Sequence, residues 1–199
     1  MMNAGFSRRA LLGACASSAL AGLVLRRAAA DQSLLPATPQ CRDADDPTPA
    51  QTEGPYFTPN SPERASLVEA GMKGDRISLI GFVLDRRCQP IARALLDLWH
   101  ADADGKYDNQ GYRLRGHQFS DAQGRFVFET VVPGLYPGRT RHFHVKVQVP
   151  GQDILTTQLY FPGEPQNQRD GIFDEALLMD VKQDASAKVG RYDFVLDVG

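Results

Sequence analysis

The sequence predicts an all-β fold, a β-sandwich of mostly antiparallel strands preceded by an extended N-terminal arm. Three observations point there. From Arg76 onward apolar residues come in short runs or alternate with polar ones; turn residues punctuate those runs; and the only helical candidate is short, at 174–180. The predicted strands are 76–84, 92–99, 125–131, 142–149, 155–161 and 192–198. Between them lie Asp104-Gly105, Asp121-Ala122-Gln123-Gly124, Pro133-Gly134 and Pro150-Gly151, all turn formers. Alternation is plainest in Phe126-Val127-Phe128 and in His142-Phe143-His144-Val145-Lys146-Val147.

The segments ahead of these strands read differently. Residues 31–52 are rich in Pro, Asp, Gln and Thr and carry no apolar period, as an extended arm would. Residues 1–30 have the layout of an export signal. Ser7-Arg8-Arg9 precedes an uncharged run from Ala10 to Leu25, and Ala28-Ala29-Ala30 follows as a small-residue cleavage site. Sixteen residues rich in Ala, Gly and Ser fall short of the roughly 20 apolar residues of a membrane span. Paired arginines before the run resemble a twin-arginine signal, which implies a periplasmic or secreted protein exported folded. Leu12-Gly13-Ala14-Cys15 also resembles a lipoprotein box, a weak match because little apolar sequence precedes it. The expected organisation is therefore 1–30 signal, 31–75 arm and 76–199 sandwich core.

Composition narrows the function. Over 199 residues, 42% are hydrophobic and 23% charged, enough for one ordinary domain with a proper core. The formal charge is -2, and the only charges in residues 1–30 are Arg8, Arg9, Arg26 and Arg27. Without them 18 bases face 24 acids, about -6, which argues against a nucleic-acid partner. Beyond the signal, Cys41 and Cys88 remain. An oxidising compartment allows them a disulfide, and two free thiols are the alternative.

The strongest local motif is His142-Phe143-His144. Residues i and i+2 of a strand share a face, so the two imidazoles project side by side and can take adjacent positions on one metal. A solvent-facing pair alternating with core Phe143 and Val145 is the plainer alternative. No Asp or Glu occurs in 130–152, so the two-His-one-carboxylate ferrous pattern lacks a local third member; no third His or Cys for zinc is adjacent either. What is near is Tyr136, in a tight turn before the strand, with Tyr107 in an earlier loop. A phenol is a poor ligand for divalent ions at neutral pH, whereas a hard trivalent ion can deprotonate it.

Four segments in order resemble the intradiol ring-cleavage dioxygenases, protocatechuate 3,4-dioxygenase among them. Leu98-Trp99-His100-Ala101-Asp102-Ala103-Asp104-Gly105-Lys106-Tyr107 is similar to the family's first iron-tyrosine segment. Pro133-Gly134-Leu135-Tyr136-Pro137, Arg139 and His142-Phe143-His144 are similar to the second. Thr52-Glu53-Gly54-Pro55-Tyr56-Phe57 and Thr157-Gln158-Leu159-Tyr160-Phe161 resemble two pocket-lining segments. The resemblance implies a non-haem Fe(III) held by Tyr107, Tyr136, His142 and His144, with Tyr136 displaced by substrate. It implies that Arg139 and Gln158 face charge developing on the ring, and that Pro55, Tyr56 and Trp99 line the pocket. The implied reaction is cleavage of a catechol-type ring by O2 between its two hydroxylated carbons, giving a cis,cis-muconate, without reductant or organic cofactor.

Two departures bear on substrate and assembly. Gly138 stands where protocatechuate-cleaving relatives often carry tryptophan, and no long helical dimerisation segment is read ahead of Thr52. A homo-oligomer stays open, but four ligands within one chain make a partner subunit chemically unnecessary. Two other readings compete. One is a secreted β-sandwich binding module, since 81–85 followed by 90–94 also resembles transthyretin-like and adhesin strands. The other is a copper or zinc enzyme built on the histidine pair.

Overall fold

The computed structural model describes residues 46–184 and 187–198. The export signal, Cys15 and Cys41 lie outside the described residues. Among the described residues nine strands form two sheets: β1 (Arg76–Asp85), β2 (Leu95–Trp99), β3 (Arg115–Phe119), β4 (Arg125–Val131), β5 (His142–Gln148), β6 (Leu155–Tyr160), β7 (Asp180–Asp184), β8 (Ala187–Arg191) and β9 (Phe194–Leu196). One sheet runs β4-β1-β8-β7 with β9 also on β1; the other runs β3-β2-β5-β6. The expected sandwich is present. Among the described residues no helix is long and apolar enough to cross a membrane.

Period-2 alternation builds the core. Ile77, Leu79 and Val83 of β1, Phe126 and Phe128 of β4, Leu96 and Leu98 of β2, and Phe143, Val145 and Val147 of β5 all belong to one buried cluster. The opposite side of β1 buries Ile80, Phe82 and Leu84 in a smaller cluster.

Three strands escape the sequence reading: β3, β7 and β8. Their segments, RGHQF, DVKQD and AKVGR, are too polar to alternate visibly. The predicted strand at 192–198 shortens to β9, which pairs parallel with Val83–Asp85 of β1 while β8 pairs parallel with Ile77–Ile80. Between these pairings the chain presses on Gly81, where a Cβ would sit 1.8 Å from the Tyr192 carbonyl oxygen, so any side chain there would push the strands apart. The helical candidate at 174–180 is only a 3₁₀ turn, Glu175–Leu177, capped by the Asp174 side chain; a second such turn spans Pro165–Arg169.

The arm explains where the site forms. Gln51 N–H donates to Thr156 O on β6, and farther along Arg64 N–H donates to His117 O on β3. These are the two edge strands of one sheet, so the arm crosses its outer face from edge to edge and shields both edges from foreign pairing. Cys88, in the turn after β1, is disulfide-bonded, which ends the alternative of a free thiol there.

Candidate metal centre

The face under the arm carries a cross-strand row. Register pairs Arg115 with Trp99, Trp99 with His144 and His144 with Gln158, one residue from each of β3, β2, β5 and β6. His142 pairs with Tyr160 in the next row on the same face. The alternation that puts Phe143 and Val145 in the core thus turns both imidazoles outward, beneath the arm.

Three donor atoms converge there. Tyr107 Oη lies 3.2 Å from His142 Nε2 and 3.1 Å from His144 Nε2, and the two Nε2 atoms are 3.1 Å apart. Neighbouring ligands at about 2.1 Å from one ion, at right angles, stand about 3.0 Å apart, so this triangle has the dimensions of three ligands on one face of a metal. His142 Nδ1 donates to Thr140 O at 2.6 Å, which leaves the Nε2 lone pair pointing inward. Burial holds the His142 imidazole down at about 4 and that of His144 well below its usual value, so both stay neutral and able to ligate. Burial pushes the Tyr107 phenol up, so ionising it takes a strongly charged ion nearby. No cluster of three His, Cys, Asp or Glu occurs among the described residues. A donor set of phenol and imidazoles therefore fits a hard ferric ion better than zinc.

Tyr136 reaches the same place by another route. Its ring lies 5.8 Å from that of Tyr107, and its hydroxyl shares a 2.8 Å hydrogen bond with Tyr56 Oη. Tyr56 in turn stacks on Tyr107 at 4.5 Å between centroids. Its phenol is pushed up, first by the hydrogen bond to Tyr136. Pro55 sits beside Tyr56 in the arm, next to Gly54, whose left-handed φ of 71° brings the backbone against His144; a Cβ there would be 3.3 Å from Cε1.

Trp99 is buried, with its ring flat against His144, 4.9 Å and 9° apart, and Phe57 of the arm packs on it edge-on. It supports a candidate ligand from a buried position. Arg139 Nη2 donates to Gln158 Oε1 at 2.6 Å, and Gln158 Nε2 donates to Thr52 O. Tyr107, His142 and His144 thus meet, with Tyr56, Tyr136 and Trp99 packed around them and Arg139 held on Gln158.

Sequence reasoning missed two participants, Asp170 and Arg115, and read a third, Tyr160, only as part of a pocket-lining segment. Asp170 accepts from Arg139 Nε at 2.8 Å. Arg115 is buried on the unrecognised strand β3, where it donates to the backbone oxygens of Tyr56 and Asp108 and so ties the arm to the Tyr107 loop. Tyr160 Oη lies 3.1 Å from Gln158 Oε1 and 3.0 Å from Ile172 O, with one proton to give to either. Asp170 and Arg115 carry no local motif, because each depends on a partner distant in sequence. A separate cleft of about 460 Å³, lined by Asp75, Arg141, Glu164 and Lys188, contains none of the donors, and its cations are paired with its own acids.

Residues 52–198 match the family described as Dioxygenase, nearly three quarters of the chain. The protein is an intradiol ring-cleavage dioxygenase family member. A dioxygenase domain from a carbohydrate-binding fusion of Streptomyces sp. SirexAA-E is 56% identical, with a TM-score of 0.76 over 77% of this chain and 100% of that one. The 3-chlorocatechol 1,2-dioxygenase of Rhodococcus opacus 1CP is 28% identical, with a TM-score of 0.71 over 85% of this chain and 78% of that one. Among curated relatives, the 6-chlorohydroxyquinol 1,2-dioxygenase of Cupriavidus pinatubonensis is 30% identical over 72% of this chain and 62% of its own length. The hydroxyquinol 1,2-dioxygenase of Nocardioides simplex is 28% identical over 64% of this chain and 52% of its own. This dioxygenase-family chain therefore spans about half to two thirds of the curated relatives it matches.

Proposed function

We propose that the protein is an Fe(III)-dependent intradiol dioxygenase that opens a catechol-type ring between its hydroxylated carbons with O2, giving a cis,cis-muconate. The observation that carries this reading is the triangle of Tyr107 Oη, His142 Nε2 and His144 Nε2 with 3.1–3.2 Å edges, beside Tyr136 and Arg139. Ferric iron held by Tyr107, Tyr136, His142 and His144 would supply a Lewis acid for both catechol oxygens and activate the ring toward O2.

The chain's own residues do the rest. Tyr136 would be the ligand that yields to substrate, since Tyr56 Oη stands 2.8 Å from its hydroxyl and can hydrogen-bond the free phenol. Arg139 and Gln158 form a preorganised pair whose donors meet negative charge developing on the ring. Trp99 and Phe57 keep the His144 side dry, and Tyr56, next to Pro55 in the arm, covers Tyr107.

Substituted rings are the proposed substrate class, because a Cβ at Gly138 would meet no atom of the described residues within 4 Å, leaving the position next to Arg139 open. Export through a twin-arginine-type signal at 1–30 is the proposed localisation, in keeping with the disulfide at Cys88. Oxygen uptake with a panel of catechols, with product identified by mass, tests the reading; an absence of uptake by iron-replete protein on every catechol would overturn it.

A further inference from the structure

Arg139 is held by two different restraints. Its Nη2 donates to Gln158 Oε1 at 2.6 Å and its Nε donates to Asp170 Oδ2 at 2.8 Å, so the guanidinium plane is set from both ends. Asp170 is itself immobilised. Its side chain is 1% exposed; Oδ2 also accepts from Thr140 N–H at 2.9 Å, and Oδ1 from Ile172 N–H at 3.2 Å. Its own N–H donates to Gln166 O, ending the 3₁₀ turn Pro165–Arg169. Burial alone would raise this carboxyl, yet the backbone N–H groups and Arg139 outweigh it and hold Asp170 below its ordinary value.

Thr140 joins this anchor to the metal side. Its N–H is on Asp170, its carbonyl accepts from His142 Nδ1, and its hydroxyl donates to Asn167 Oδ1 at 2.5 Å. One carboxylate from a loop about thirty residues downstream thus fixes the guanidinium and the peptide beside it.

We propose that Asp170 is a positioning residue for the ring-cleavage step, acting through Arg139. This rests on the dioxygenase reading above. An Arg tethered only to Gln158 would swing about that single bond. A tethered one presents its remaining N–H groups to the substrate ring in one orientation, which contributes to the rate and little to substrate binding.

Asp170→Asn keeps an acceptor for one backbone N–H and loses the charge pair, so it separates orientation from folding better than Asp170→Ala. The test is steady-state kinetics on catechol for iron-loaded wild type, Asp170→Asn, Arg139→Ala and the double variant, with iron content and visible spectra of each. The expected result is a kcat about 10–100-fold lower in Asp170→Asn, with KM within a few-fold of wild type. Iron content and the anaerobic catechol spectrum should be unchanged, and the double variant no slower than Arg139→Ala alone. Wild-type kcat in Asp170→Asn, loss of iron from it, or losses that multiply in the double variant would each overturn the proposal. A wild type that binds iron but cleaves no catechol would instead bring down the functional reading, and the proposal with it.

Discussion

The indole of Trp99 lies parallel to the imidazole of His144, 4.9 Å away and tilted by only 9°. Directly opposite register positions on β2 and β5 bring the two together, and Phe57 of the arm seals the indole edge-on. A ring stacked this way fixes the direction of the His144 lone pair as a hydrogen bond would, and His144 Nδ1 has no hydrogen-bond partner among the described residues.

Trp99 is the chain's only tryptophan, so its emission reports on the centre. Ferric loading is expected to quench most of that emission. Trp99→Leu should lower iron affinity about tenfold and cost about 2–4 kcal/mol of stability, read by iron competition and by urea unfolding. Emission that does not respond to ferric ion would place the metal elsewhere.

Removing a donor should cost metal. His142→Ala takes away one corner of the triangle, and its iron content is expected to fall to background. Tyr107→Phe keeps the packing against Tyr56 but lowers iron affinity about 10–100-fold and shifts the visible band. Iron assay after dialysis against a chelator measures both, and full retention by either variant would refute its ligand role.

A buried histidine outside the donor set predicts a pH dependence. His100 Nδ1 faces the Ala101 carbonyl at 2.7 Å and so carries the proton, leaving Nε2 to accept from Thr130 Oγ1 at 2.7 Å. Burial pushes its pKa down to about 4. As pH falls, the unfolded chain takes up this proton first, near 6.5, and the folded protein not until about 4. Stability is therefore lost as pH drops from about 6.5 to about 4, by about 3 kcal/mol from this group, and the loss levels off below. His100→Gln should flatten that part of a denaturation-versus-pH curve relative to wild type. An unchanged slope would mean His100 is charged or exposed in the folded state.

The open position at Gly138 predicts tolerance. Catechols with methyl or larger groups para to one hydroxyl should be turned over at rates within about tenfold of catechol, since a Cβ at Gly138 meets no described atom within 4 Å and an added group finds the same space. Oxygen uptake across such a series measures this; uniform failure of para-substituted rings would show that the space is not the ring's.

Much of the site is legible in the sequence because its chemistry coincides with strand periodicity. His142 and His144 alternate with core Phe143 and Val145, and the cross-strand partners Trp99 and Gln158 stand in segments apolar enough to read as strands. The parts that were not legible depend on distant partners. Arg115 sits in a strand without apolar alternation, and its burial becomes understandable only when the carbonyls of Tyr56 and Asp108 arrive to accept its donors. Asp170 lies among turn residues, with nothing local to mark it as the acceptor for Arg139. Likewise β8 and β9 flank Gly81 on β1 as parallel partners, a pairing that no two-residue turn announces.

The most direct test of the ferric-centre claim is the visible spectrum of purified protein with its iron content, before and after anaerobic catechol. About one iron per chain is expected, with a broad tyrosinate-to-iron band that shifts to longer wavelength when catechol binds. A protein that stays colourless after ferric loading, or whose band ignores catechol, would contradict it.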